Sequence, residues 1–402
     1  MAEPPRHRKR PILLIADQAW DAPGGGAVIL RSLLGNRIGS DMVWVTPSRT
    51  GSDPVLGHYG LAAGSVGTGR YSVLRDSLLN AGRLAAEVQD LAQRINAVGL
   101  WAVLHGSTVA IASHLARKCD LPMHATVHDD PVYATAIRSR RLAIFAPLIA
   151  RQFRIALQAA RSVDVVCDSM ADRYRRKYGV SSIVLHRGLS DPVSPSPTYD
   201  LAREGLTVGI LGNTYSFRQL PILGRMVELA AQRLNVRAKI VVCGESYGLR
   251  LKRLFEGRIE VEVTGHVEES KGIERLRRCA VLYLNYPFGW FSRVLRETSF
   301  PTKLSTYVYA ARPLLIHAPP GTSLSGLSSA HSDYAIPWET MDPVDGASRL
   351  IAWLENSRFD DSRHIAADAM RLRYYNYDVH RATLDRFLDQ LSDSRVSVPG
   401  EV

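Results

Sequence analysis

Continuous apolar runs of strand length, each followed by a stretch with helical spacing, recur down the whole 402-residue chain and constrain its fold more than any other feature. In the first half they occupy residues 11–17, 42–46, 101–105, 123–128, 163–167 and 183–186; in the second, 206–211, 239–243, 259–264, 281–285, 313–317 and 334–336. Several show no polar alternation, the pattern of strands covered on both faces, and strands of that kind alternating with helices build parallel α/β sheets. The chain is too long for one ordinary core and long enough for two. Between the two sets lies a Pro- and Ser-rich stretch without periodicity, residues 190–205, which reads as a linker. The expectation is an α/β protein of two Rossmann-like, doubly wound parallel-sheet domains facing a cleft, over 1–195 and 196–365. Residues 366–391 read as a closing helix, with Leu384, Phe387, Leu388 and Leu391 on one stripe, that packs back on the first domain.

Composition narrows the class. Hydrophobic residues at 46% and charged residues at 22% exclude global disorder. The four cysteines, Cys119, Cys167, Cys243 and Cys279, form no CxxC pair and read as reduced packing residues, not as a disulfide framework or a zinc site. No apolar run is long enough to cross a bilayer, and the opening MAEPPRHRKRP lacks the apolar core of a secretory signal, so the expected location is cytoplasmic. The formal net charge is +11, and six arginines (Arg138, Arg140, Arg141, Arg151, Arg154, Arg161) fall within 138–161 without one acid. Such a surface attracts nucleic acid, acidic lipid or a phosphorylated substrate; a solvated basic helix face is the alternative.

In open parallel sheets ligands bind beyond the carboxyl ends of the strands. The first such loop, residues 17–26 (DQAWDAPGGG), places Gly24, Gly25 and Gly26 just before a helix, where backbone N–H groups and the helix dipole favour an anion; a plain turn is the alternative. It lacks the Lys-Ser/Thr of a Walker loop and the spacing of a dinucleotide fingerprint, which argues against ATPase and dehydrogenase readings. The run at 123–128 ends in His128, Asp129 and Asp130. The imidazole can hydrogen-bond a sugar hydroxyl or phosphate oxygen, and the carboxylates can position it or accept protons. A metal on these three has no further ligands at suitable spacing, and His124 on the same run reads as packing. In the second half, Gly212, Gly244 and Gly265 each mark a strand end, followed or preceded by Asn213, Thr214, Arg218, Glu245, His266 and Val267. Together they outline a ligand site. Within 296–322, Pro301 fits a first helical turn and Lys303 points a cation from it, either as a diphosphate clamp or as an ordinary surface lysine.

At this last segment the sequence resembles family 4 glycosyltransferases of the GT-B fold. Their pattern FPxKLxEYxAxGxPLL is matched by Phe300, Pro301, Lys303, Leu304, Tyr307, Ala310, Pro313, Leu314 and Leu315. The glycine loop at 24–26, VHDDP at 127–131, VCDSMADRYRRKYG at 166–179 and the stretch 264–284 extend the resemblance over nearly the whole chain. It implies transfer of a sugar from a nucleotide diphosphate donor to an acceptor hydroxyl, retaining and metal-independent, with no cofactor and with the nucleotide-sugar as substrate. The donor would lie on the second domain: the backbone near His266 and Val267 holding the base, Arg218 and Lys303 facing the diphosphate, Gly25, Gly26, Gly212, Asn213, Thr214, Gly244 and Glu245 around it. His128, with Asp129 and Glu297, would serve the chemistry. Where family members place glutamates this chain has Thr306 and Thr298, and Asn213 replaces the arginine of their phosphate loop.

Three functions follow as alternatives: a transferase making a polysaccharide, glycolipid or decorated natural product; a catalytically reduced nucleotide-sugar-binding protein on the same scaffold; and a nucleic-acid-binding protein, suggested by basicity alone and unsupported by interleaved aromatics. The apolar stretch 142–150 inside the basic segment would suit peripheral contact with an anionic membrane and a lipid-linked acceptor.

Overall fold

The computed structural model describes residues 10–20, 25–47, 57–62, 64, 70–137, 142–244, 248–356 and 363–392. The N-terminal arm, Gly24, Arg138, Arg140, Arg141 and Glu245 lie outside the described residues. The chain divides into two compact units, one of residues 1–188, 297–300 and 377–402, the other of 189–296 and 301–376.

The first unit carries seven parallel strands: β1 (Ile12–Ile15), β2 (Met42–Thr46), β3 (His58–Gly60), β4 (Gly99–Val103), β5 (Met123–Val127), β6 (Ser162–Val165) and β7 (Ile183–Val184). Their order is β3-β2-β1-β4-β5-β6-β7. Every residue of β1, β2, β4 and β5 is buried, which is why those runs are apolar apart from Thr46, His124 and Thr126. β3, only half-buried and without an apolar run, is the strand that sequence patterning misses. The helices are α1 (Gly25–Leu34), α2 (Arg70–Arg75), α3 (Ala81–Arg94), α4 (Thr108–Lys118), α5 (Ala146–Ala159) and α6 (Asp168–Tyr178).

The second unit has six parallel strands, β8 (Leu206–Leu211), β9 (Ala238–Cys243), β10 (Glu260–Val263), β11 (Val281–Asn285), β12 (Leu314–His317) and β13 (Ala335–Trp338), ordered β10-β9-β8-β11-β12-β13. Its helices are α7 (Leu201–Glu204), α8 (Leu220–Leu234), α9 (Gly248–Phe255), α10 (Glu269–Leu276), α11 (Arg293–Thr298, which ends in the segment assigned to the first unit), α12 (Lys303–Ala310), α13 (Ser323–Ala330), α14 (Pro343–Asn356) and α15 (Arg363–Tyr374).

Two expectations need correction. The segment 366–391 is not one helix: α15 closes at Tyr374 within the second unit, and α16 (Tyr377–Ser392) is a separate helix of the first. Leu384, Leu388 and Leu391 of α16 join the apolar layer of Ile12, Leu14, Trp44 and Trp101. The stretch 190–205 is also less loose than its composition suggests. Arg277 donates to Ser194 O at 2.9 Å, Arg312 to Pro197 O at 2.6 Å, and Ser196 Oγ to Ala310 O at 2.5 Å, so residues 193–199 are fastened along the second unit. The arginines that follow α10 and α12 thus satisfy carbonyls of the stretch, and Ser196 returns one bond to the last residue of α12.

Candidate functional sites in the two units

In the first sheet the strand order reverses between β1 and β4, and a doubly wound sheet opens its ligand crevice at such a point. Asp17 follows β1 there. Ser107 N–H donates to its Oδ2 at 3.2 Å, Ser107 Oγ to Oδ1 at 2.8 Å and Thr108 Oγ1 to Oδ1 at 3.3 Å. The carboxylate thus caps the start of α4, where the helix dipole favours negative charge. Gly106 makes this approach feasible: its φ is +55°, and a Cβ there would fall 1.5 Å from Asp17 Oδ2. His105 closes the group, with Nδ1 3.6 Å from Asp17 Oδ2 and its side chain 41% exposed. Burial opposes charge on His105, but its interaction with Asp17, joined by the charge of Asp129, outweighs burial and raises its pKa.

His128, one strand further along, lies against the first turn of α1: a Cβ on Gly26 would meet His128 Nδ1 at 2.8 Å. Burial lowers the His128 imidazole to about 4, against the charge of Asp164 and with that of His105. At neutral pH it is therefore an uncharged hydrogen-bonding group beside helix N–H donors. The structure thus unites Gly26 and His128, two residues singled out from sequence, with Asp17 and His105, which were not. The signal for the missed pair was weak, since a lone Asp and a lone His 88 residues apart share only their positions at strand ends.

The neighbouring acids have other duties. Asp130 is 4% exposed and accepts from Tyr133 N–H at 2.9 Å, capping the turn that follows. Glu297 pairs with Arg173 at 2.6 Å, while its carbonyl accepts from Ser169 Oγ at 2.9 Å. Thr298 beside it is 1% exposed, which leaves it little surface to offer a donor. His124 is a packing residue: its Nε2 lies 2.7 Å from Asp164 Oδ1 with both side chains fully buried, and its ring stacks on Phe387 of α16.

The second sheet reverses between β8 and β11. These strands pair only at Val208–Val281 and Gly209–Leu282. Beyond that the Tyr307 hydroxyl accepts from Leu211 N–H at 2.9 Å and donates to Tyr283 O at 3.0 Å, bridging the opened strands from α12. The three glycine-marked strand ends converge. A Cβ on Gly244 would sit 3.3 Å from Gly212 Cα, and Gly244 bridges Gly265. Thr214 Oγ1 donates to Asn285 Oδ1 at 3.0 Å across the reversal. Lys303 donates to Leu211 O at 3.0 Å and also to Asn213 O. Thr306 Oγ1 donates to Glu269 Oε1 at 2.8 Å, placing a carboxylate from α10 on the hydroxyl.

Gly212, Asn213, Thr214, Gly244 and Lys303 therefore form one group at the carboxyl ends of β8 and β9. Arg218 stands apart, exposed on the turn Phe217–Gln219, and makes no hydrogen bond or ion pair among the described residues. His266 is exposed and Val267 half-buried on the loop before α10. Lys303 is the electrostatic centre of the group. Its partners are carbonyls, not carboxylates, and burial lowers its pKa to about 7. An anion bound beside it would restore its charge. Among the described residues no group of three or more His, Cys, Asp or Glu side chains is arranged to hold a metal ion, and no helix is long and apolar enough to cross a membrane.

No protein-family model matches the sequence, and no curated protein sequence matches it. Solved structures do resemble it. A glycosyltransferase from Rickettsia africae ESF-5 superposes with a TM-score of 0.62 at 11% identity, over 96% of this chain and 100% of that one. A UDP-forming alpha,alpha-trehalose-phosphate synthase from Burkholderia vietnamiensis gives 0.62 at 12%, over 97% and 100%. S. aureus MnaA, solved with UDP, gives 0.59 at 10%, over 98% and 100%. With two parallel doubly wound sheets, the chain has the GT-B fold.

Proposed function

We propose that this protein is a glycosyltransferase that takes a sugar from a nucleotide diphosphate donor held on its second unit and passes it to an acceptor hydroxyl. The observation that carries the reading is Lys303. A cation half-buried at the strand reversal, held by two carbonyls and the face of the Tyr215 ring without any carboxylate and lowered to about 7, is an incomplete site that a diphosphate completes. The three converging glycines leave the backbone open beside it. Glu269, held by Thr306, answers the lack of a glutamate at position 306 and would accept from ribose hydroxyls. The likeness of the fold to a glycosyltransferase and to a UDP-forming synthase agrees with this assignment. Retention, independence of a metal and absence of a cofactor belong to the same proposal.

The acceptor class follows from the surface of the first unit. Ile144 and Leu148 are 76% and 39% exposed on and just before α5, followed on its outer face by Arg151 and Arg154. Tyr71 and Leu79 are 71% and 76% exposed with Arg75 and Arg83 between and beyond them, and Gln152 of α5 donates to Ser77 O between these elements at 3.4 Å. Apolar side chains interleaved with arginines, without an exposed acid in either run, match an anionic lipid surface, so the acceptor is proposed to be lipid-linked. The test of the whole reading is release of nucleoside diphosphate from a panel of nucleotide-sugars. No turnover, and no thermal protection by any nucleotide, would sink it.

A further inference from the structure

We infer that Trp290 and Phe291 form a stacking platform for pyranose rings, so that the acceptor hydroxyl belongs to a saccharide of more than one sugar. The inference rests on the proposed function and names the class of its acceptor. Both residues lie in the second unit, on the loop that leaves β11 at the strand reversal. Trp290 is 72% and Phe291 79% exposed, and among the described residues they are the only exposed large apolar side chains adjacent in sequence. Contiguous apolar surface of this kind marks a place of binding. The loop is built to hold the rings out. Tyr286 at its root is fully buried, with its ring 5.2 Å from that of Tyr215 and perpendicular to it, and Phe288 packs 5.1 Å from the His317 ring. From the far end Arg296 Nη1 donates back to Pro287 O at 2.8 Å, and the Arg293 guanidinium lies over the Trp290 ring at 5.5 Å. A loop anchored at both ends asks little ordering of itself when a ligand arrives.

The same root joins the platform to the proposed donor site within one unit. Tyr215, which meets Tyr286, also lies under Lys303 Nζ at 5.5 Å. Trp290 follows Tyr286 by four residues, at most about 14 Å of extended chain. A short glycan covers that distance. The chemistry of the patch selects the occupant. An aromatic face is electron-rich and attracts the slightly positive C–H groups that one side of a pyranose presents as a flat array. An acyl chain or a protein partner would draw equally on aliphatic side chains, as the exposed Ile144 and Leu148 of the first unit offer them; here Val294 and Leu295, just beyond the rings, are half-buried. The donor's own sugar is a single ring placed by its diphosphate. Two neighbouring aromatic side chains offer surface for more than one.

The test uses the full chain, with maltohexaose, cellohexaose and chitohexaose as probes, followed by tryptophan fluorescence and isothermal titration in the absence of nucleotide. At least one probe is expected to bind saturably. Trp290→Ala should weaken that probe by about 10-fold or more, the scale of a lost aromatic anchor, with thermal unfolding unchanged because the side chain is exposed. Trp290→Tyr, which keeps a flat ring, should retain most of the affinity, and Arg296→Gln, which keeps both rings but unties the loop, should lose part of it. UDP and UDP-glucose should bind Trp290→Ala as tightly as wild type. The inference is overturned if none of the three probes binds, or if Trp290→Ala binds its probe as well as wild type does. It is equally overturned if Trp290→Ala loses affinity for UDP-glucose but not for UDP, which would give the platform to the donor's sugar. Failure of the proposed function reads differently: a protein that binds a probe through Trp290 but no nucleotide keeps the saccharide site and loses the transfer.

Discussion

The hydroxyl of Thr306 donates to Glu269 Oε1 at 2.8 Å, so a carboxylate from α10 occupies the position at which the sequence of α12 shows only a threonine. Glu269→Gln should therefore weaken UDP binding by about 1.5–3 kcal/mol, the scale of a hydrogen bond to a charged group. Thr306→Val, which removes one hydrogen bond to the carboxylate, should cost less. Isothermal titration of the two variants gives the ranking, and equal losses would place the ribose elsewhere.

Binding of a nucleotide-sugar should depend on pH through Lys303. Its ammonium titrates near 7 in the free protein, and a bound diphosphate pulls that value upward. Affinity should be flat below about pH 7 and fall as pH rises above it, because binding there requires proton uptake. Lys303→Met should remove both the slope and much of the affinity. Titrations from pH 6 to pH 9 measure it, and an identical slope in the variant would release Lys303 from the site.

Gly106→Ala joins a left-handed φ of +55° to a collision with Asp17. The expected cost is about 1–3 kcal/mol of stability, with a fall in transfer larger than that seen on replacing a glycine that nothing touches, such as Gly289. Urea unfolding and UDP-release rates, measured on both variants, separate the two effects.

Asp164→Asn should unfold more readily than wild type by roughly 3–5 kcal/mol, because it removes one side of a fully buried pair and leaves His124 without its carboxylate. The loss should appear in denaturant melts without any nucleotide present. A change under about 1 kcal/mol would mean that the neutral amide satisfies the histidine equally well.

Vesicles containing phosphatidylglycerol should sediment the protein, and pure phosphatidylcholine vesicles should not. Ile144→Ser with Leu148→Ser should weaken this without altering UDP affinity, since both side chains are exposed on the first unit. Co-sedimentation that ignores lipid charge, or preferential binding to duplex DNA, would count against a membrane surface.

Much of the fold was legible because burial on both faces forces a strand to be continuously apolar. β1, β2, β4, β5 and β11 are buried at every residue; β1 and β4 are apolar throughout, and the others depart from the rule only at Thr46, His124, Thr126 and Asn285. β3 escapes it as a half-buried strand, and the break between α15 and α16 escapes it because both helices keep an apolar stripe on either side of Tyr375–Asn376. Glycine turns were legible for a related reason. Gly212, Gly244 and Gly265 adopt φ of +57°, +145° and +71°, conformations that other residues resist.

The sequence by itself determined two parallel α/β sheets, the strand ends that carry glycines, and Lys303 and His128 as groups worth watching, since each depends on local pattern. Only the tertiary structure decided which of these groups meet and in what state of charge. Asp17 and His105 are brought together by adjacent strands that are distant in sequence, Glu269 reaches Thr306 from a different helix, and Glu297 is claimed by Arg173. Such pairings depend on strand order and on burial of each charge, and neither is a property of a short stretch of chain.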